Sequence, residues 1–193
     1  MSFTIAITGR PNVGKSTFFN RLLEQRKAIV DDVSGVTRDR QYGVADWNGK
    51  SFNVIDTGGF VAGSEDVFEK EIAKQVLIAV DEADAIVFMV DAHTGMTDLD
   101  DAMADVLRRS TKPVFVVVNK ADNPQRDAYA NEFYELGLGE VFPISSLHGR
   151  GVADLLDEVM KVLPDVSAVA KAELGGPRRV AIVGRPNVGK SSL

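Results

Sequence analysis

Residues 9–16 read GRPNVGKS, and the run lies between an apolar stretch at 3–8 (FTIAIT) and an amphipathic one that begins at Lys15. No other feature restricts the fold of this chain as strongly. Two glycines with four residues between them, then Lys and Ser, placed between a strand and a helix, make a P-loop. Gly9 and Gly14 allow the backbone to curl so that its N–H groups converge on phosphate oxygens, and the following helix N-terminus adds partial positive charge. The candidate phosphate cradle runs from Gly9 through Arg10, Pro11, Asn12, Val13 and Gly14 to Lys15, Ser16 and Thr17. Lys15 supplies a point charge for the β- and γ-phosphates, and the Ser16 hydroxyl is a candidate ligand for Mg2+. A glycine-rich turn of purely structural use would not need Lys and Ser directly after its second glycine.

The same eight letters recur 175 residues later, at 184 against 9, again behind an apolar stretch (VAIV, 180–183). Identical context on both sides marks an internal duplication. Residues 1–164 therefore read as a first domain, 165–179, with Gly175, Gly176 and Pro177, as a linker, and 180–193 as the truncated start of a second domain. Gly184, Arg185, Pro186, Asn187, Val188, Gly189, Lys190 and Ser191 form the second candidate phosphate loop. We expect it to be inert here, because such a loop binds phosphate only with its strand held in a sheet and its helix continued.

Between the two loops, apolar strands alternate with amphipathic helices. Strands are expected at 3–8, 42–47, 51–55, 85–90, 113–118 and 140–144, and helices at 15–26, 67–80, 99–109, 126–136 and 152–163. Asn48-Gly49 joins the second and third strands as a two-residue hairpin, so that pair alone is antiparallel. Strands separated by helices imply a six-stranded, mostly parallel α/β sheet with helices on both faces. The composition suits such a domain, with 45% hydrophobic and 26% charged residues. There is no cysteine, so disulfide and thiolate-metal chemistry is excluded and a cytoplasmic setting is the default. No apolar run approaches a membrane span, and the start does not resemble a signal peptide. A net charge of −6 argues against broad electrostatic binding of nucleic acid by this segment.

Asn119-Lys120-Ala121-Asp122 follows the run PVFVVV, at the strand edge where open α/β sheets bind ligands. The Asp122 carboxylate can accept from N1–H and the 2-amino group of guanine; adenine offers no such pair and would leave a charge unpaired. Ser145 and Ser146, with Leu147 behind them, follow the last strand, and their backbone N–H groups are candidates to meet guanine O6. Asp56, Thr57, Gly58 and Gly59 close the third strand: Asp56 is a candidate for Mg2+ through water, and the Gly59 N–H for sensing the γ-phosphate. Thr37, in GVTRD between the first helix and the hairpin, is the candidate second protein oxygen on Mg2+.

Together GRPNVGKS, GVTRD, DTGG, NKAD and SSLHGRG resemble the five signature loops of a small GTPase-like G domain, and the tandem repeat resembles the double-domain members of the TrmE–Era–EngA family. The resemblance covers residues ~3–163 as a complete domain and 180–193 as the start of another. It implies GTP hydrolysis to GDP, a switch role in assembly of the large (50S) ribosomal subunit, and RNA contact mainly through a C-terminal KH-like domain not present in this chain. Ser34 and Ser146 depart from the family's usual proline and alanine. Where many GTPases carry a water-orienting glutamine, this chain has Phe60, which cannot hydrogen-bond to water. In potassium-dependent relatives an asparagine at the position of Asn12 holds K+ against the phosphates, so the resemblance implies slow, cation-assisted turnover with Asn12, Lys15, Thr37 and Gly59 as the catalytic set. Arg10 and Arg38 read as solvated or RNA-facing, and His93 and His148 receive no role. An alternative is a nucleotide-dependent interaction module with little turnover of its own. A P-loop kinase is disfavoured by NKAD.

Overall fold

The computed structural model describes residues 3–24, 41–57, 77 and 80–163. A six-stranded sheet is built from β1 (Thr4–Thr8), β2 (Gln41–Trp47), β3 (Lys50–Asp56), β4 (Ala85–Asp91), β5 (Val114–Asn119) and β6 (Val141–Pro143). Their spatial order is β2-β3-β1-β4-β5-β6, and only β2 and β3 are antiparallel. The hairpin pairs Trp47 with Lys50 across Asn48 and Gly49, whose φ values of 48° and 78° are the two positive angles that a right-twisting two-residue turn requires.

Helices α1 (Lys15–Glu24) and α2 (Asp98–Leu107) flank the sheet, with α3 (Pro124–Asp127), a 3₁₀ helix (Ala128–Leu136) and α4 (Val152–Val162). Alternate residues of the central strands point to opposite faces. Val87, Met89 and Val117 join a core with Phe18, Leu22, Leu155 and Val159 from α1 and α4. Ile86, Phe88, Val90, Val116 and Val118 join the other core, with Met103 and Leu107 from α2 and Phe133 and Leu136 from the 3₁₀ helix. Burial on both faces explains why β4 is apolar until its last residue. The layered α/β architecture, the mixed sheet and the helices on both faces are as the sequence pattern predicts.

The expected helix at 126–136 takes a different form. Asn123 caps the segment by accepting from the Arg126 N–H, and Pro124 opens it, so the helix begins two residues earlier. It then tightens into 3₁₀ geometry, in which residues three apart lie above one another. Ala130, Phe133 and Leu136 have that spacing and all are buried, so the tighter winding keeps one stripe on the sheet. Of the expected helix at 67–80, only 77 and 80 fall among the described residues; both are helical, as are 81 and 82.

Candidate functional site

The GRPNVGK loop leaves β1 at the C-terminal edge of the sheet and enters α1 at Lys15. Gly9 has φ +145° and Gly14 has φ +100°, and a Cβ at Gly9 would stand 2.2 Å from the Met89 carbonyl oxygen. No side chain is tolerated there, because β4 passes directly beneath the loop. Lys15 Nζ donates to the carbonyls of Gly9 (2.8 Å) and Arg10 (2.9 Å), closing the loop with its own side chain. Burial lowers the Lys15 pKa to about 8, against the attraction of Asp56 and with some help from Arg10. Ser16 Oγ donates to Asp56 Oδ2 at 2.8 Å, which brings the two expected metal-site oxygens together. Thr57 Oγ1 donates to the Ile7 carbonyl, and the buried hydroxyl thereby ties the end of β3 to β1. Asn12 is exposed, with φ 67°.

At the other end, Asn119 connects the loops. Its Nδ2 donates to the Val13 carbonyl (2.7 Å), and its Oδ1 accepts from the Ser146 N–H (2.9 Å), all three groups being buried. Lys120, at φ 67°, donates to the Asn12 carbonyl (2.9 Å) and pairs with Asp91 at 2.5 Å. Burial alone would raise the Asp91 pKa; the Lys120 ammonium and the His93 N–H together hold it below the ordinary carboxylate range. Ala121 is fully buried, and its N–H donates to the Ile144 carbonyl. Asp122 accepts from Ser145 Oγ at 2.7 Å and lies 3.4 Å from Arg126 Nη1, with His93 Nε2 at 3.9 Å. His93, given no role from sequence, therefore borders the proposed base-reading carboxylate.

Two sequence readings need correction. Arg10 is not solvated: its side chain is 13% exposed, and its Nε donates to Asp100 Oδ2 at 3.2 Å, while Nη2 donates to Thr94. Asp100 is fully buried in the capping box that Thr97 makes at the start of α2, and burial raises its pKa although Thr97 and Arg10 oppose the rise. The loop arginine thus ties the phosphate loop to α2. The second correction concerns Ser145 and Ser146, whose N–H groups are committed to the Arg150 carbonyl and to Asn119 Oδ1. Among the described residues, the backbone N–H between 144 and 149 without an acceptor is that of Leu147. Thr37, Arg38, Gly58, Gly59 and Phe60 lie outside the described residues, as does everything after 163, including the second loop from Gly184 to Ser191.

Sequence reasoning also missed three residues. Arg150 makes a two-pronged pair with Asp127 (2.7 and 2.5 Å) and donates to the Ala121 carbonyl (3.1 Å), bracing the 119–127 segment from behind. Asp91 anchors Lys120. Arg21 of α1 reaches the 145–149 loop. Arg150 stands within SSLHGRG, so a signal was available for it although no role was read from it; nothing in the local sequence distinguishes Arg21 or Asp91.

The fold and this edge define a P-loop NTPase of the small-GTPase-like class: phosphate loop, metal-site oxygens and an Asn-Lys-x-Asp base loop on one side of a mostly parallel sheet. The family model described as "50S ribosome-binding GTPase" matches residues 4–120, and the chain belongs to that family. It is 59% identical over 193 residues to "GTPase Der" of Christiangramia forsetii and 56% identical over 189 residues to that of Leifsonia xyli. It is covered over 100% and 98% of its length in those comparisons, and itself spans 44% and 39% of those curated relatives. Among solved structures it resembles Era in complex with MgGDPNP and a 16S ribosomal RNA segment, with a TM-score of 0.68, 32% identity, and coverage of 85% of this chain and 57% of that one. The G domain of the T. maritima FeoB iron transporter matches with a TM-score of 0.60, 26% identity and coverage of 83% of this chain and 98% of that one. Among the described residues, no helix is long and apolar enough to cross a membrane.

Proposed function

We propose that this chain is a GTP-binding switch that hydrolyses GTP to GDP and phosphate, and that the protein it belongs to acts in assembly of the large ribosomal subunit. The observation that carries the reading is Asn119, which holds the Val13 carbonyl of the phosphate loop and the Ser146 N–H of the base loop in one side chain. Phosphate and base recognition are thereby locked at a fixed separation. Residues 9–17, 56–60, 119–122 and 145–147 form the nucleotide site, and Lys15 stands over the phosphates as the fixed charge.

Mg2+ fits the donors present. Ser16 and Asp56 offer two hard oxygens 2.8 Å apart, and no group of three or more acidic or imidazole side chains occurs among the described residues. One carboxylate with substrate phosphates completing the shell is the usual arrangement for this ion. Ser16, Asp56 and Thr37 would hold it, and it would neutralise phosphate charge. Phe60 cannot orient water, so turnover is slow and draws on Asn12 and K+. Asn12 adopts the left-handed conformation that asparagine tolerates, which leaves its side chain at the exposed crest of the loop.

Asp122→Asn tests the base assignment. It should weaken GTP binding and shift preference toward xanthine nucleotides, since an amide matches a 2-oxo group; unchanged GTP affinity would reject it. Hydrolysis at equal nucleotide occupancy should be faster in K+ than in Na+, and the difference should vanish in Asn12→Gly, which keeps the loop conformation without the side chain. Equal rates in both salts for the unsubstituted chain would remove the cation from the mechanism.

A further inference from the structure

Arg21 belongs to no signature motif, yet it is held against the base-reading loop. It sits in the last turn of α1, whose Phe18, Phe19, Leu22 and Leu23 are buried in the core. From there Nε donates to the carbonyl of Ser146 and Nη2 to that of Leu147, residues 125 and 126 positions away in the chain. Gly149 makes room for the guanidinium: its φ is +78°, and a Cβ would stand 3.0 Å from Arg21 Nη1.

A trans peptide unit is planar, and its C=O and N–H point in opposite directions. Gripping the Ser146 carbonyl from α1 therefore aims the N–H of the same unit, that of Leu147, away from α1. Gripping the Leu147 carbonyl as well fixes the next unit, so the loop cannot swivel between them. The neighbouring donors are already committed: Ser145 N–H to the Arg150 carbonyl, Ser146 N–H to Asn119 Oδ1, His148 N–H to Ser145 Oγ and Gly149 N–H to the Ser145 carbonyl. Among the described residues, Leu147 N–H remains as the loop's backbone donor without an acceptor.

We propose that Arg21 is a positioning residue for base recognition, whose fork across the Ser146 and Leu147 carbonyls presents the Leu147 N–H to the 6-oxo group of a guanine nucleotide. The proposal rests on the nucleotide-binding reading above. It makes α1 a shared support: its first turn carries the phosphate-binding Lys15 and Ser16, and its last turn aims the base loop.

The test compares GDP with 6-thio-GDP, which keeps N1–H and the 2-amino group but replaces O6 by a weak sulfur acceptor. The unsubstituted chain should prefer GDP by roughly five- to tenfold, the scale of one hydrogen bond. Arg21→Ala should bring that ratio to about twofold or less, while Arg21→Lys, which cannot fork across two carbonyls, should fall between. Loss of both affinities by one common factor, with the ratio intact, would show a packing role only and overturn the proposal. Should Arg21→Ala fail to fold, Leu147→Pro deletes the donor itself; a ratio like that of the unsubstituted chain in Leu147→Pro also overturns it. An unsubstituted chain that does not favour GDP over ADP would instead reject the underlying reading of the site.

Discussion

Lys15 reaches back six and five residues to close the phosphate loop on the Gly9 and Arg10 carbonyls, whereas the base loops are held by Asn119 and Arg21 acting over 106 and 125 residues. The phosphate end is mostly local: two glycines, one lysine and a helix start make its shape wherever a parallel sheet supports them. The base end is a junction of three chain segments, and its shape exists only when the sheet has brought β5, β6 and α1 together. The long-range ties at the phosphate end include Arg10, reaching 90 residues to Asp100, and Ser16, reaching 40 to Asp56.

Gly14→Ala should break the comparison most severely. Its φ of +100° strains any side chain, and the new Cβ would lie 2.3 Å from Asn119 Nδ2, so one methyl group injures both ends. With ~1–3 kcal/mol of backbone strain and the Asn119 bond to Val13 lost, GDP affinity should fall by about a hundredfold or more by calorimetry. A loss under tenfold would mean that the two ends are less tightly joined than the geometry indicates.

The second effect isolates the phosphate end by pH. With its pKa lowered to about 8 by burial, Lys15 binds fewer protons in the folded than in the unfolded chain as pH rises from about 8 toward 10.5. Over that window this group makes the nucleotide-free protein more stable, because the cost of burying its charge is relieved. Nucleotide affinity has the opposite slope, because phosphates need the protonated lysine: it should decline above about pH 8 by up to about tenfold per unit, and Lys15→Met should flatten the profile. An unchanged slope in Lys15→Met would assign the titration elsewhere.

Arg150→Ala should have the smallest effect and touch the base end alone. The partners in its pair with Asp127 are each about a third exposed, so solvent screening keeps the pair weak. GDP should lose a few-fold in its preference over ADP, while tripolyphosphate binding stays unchanged. A parallel loss of tripolyphosphate binding would show that Arg150 supports the whole edge.

Much of the architecture was legible because it depends on local pattern. Asn48-Gly49 predicts the hairpin, apolar strands separated by amphipathic helices predict the sheet covered on both faces, and the strand–loop–helix around Gly9 and Lys15 predicts where the phosphate loop sits. The 3₁₀ winding was harder to read, since the spacing of Ala130, Phe133 and Leu136 is compatible with a helix of either pitch until the sheet beneath it is known. Arg10 was misread because an arginine in a glycine-rich loop looks solvated from sequence; its partner, Asp100, is the third residue of a helix that packs from another part of the chain.

From the amino-acid sequence alone came the class of fold, the strand edge on which chemistry can occur, and the residue types that can meet phosphate, metal and base. Those follow from backbone conformation and side-chain chemistry within a few residues, which no distant packing needs to specify. Tertiary structure decided which donors remain available there. It commits the N–H groups of Ser145 and Ser146, leaves that of Leu147 without an acceptor among the described residues, buries Arg10 against Asp100 and stations Arg21 over two carbonyls. A hydrogen bond is satisfied by whatever acceptor lies within about 3 Å, and over separations of 90 to 126 residues only the packed sheet and its helices determine which group that is.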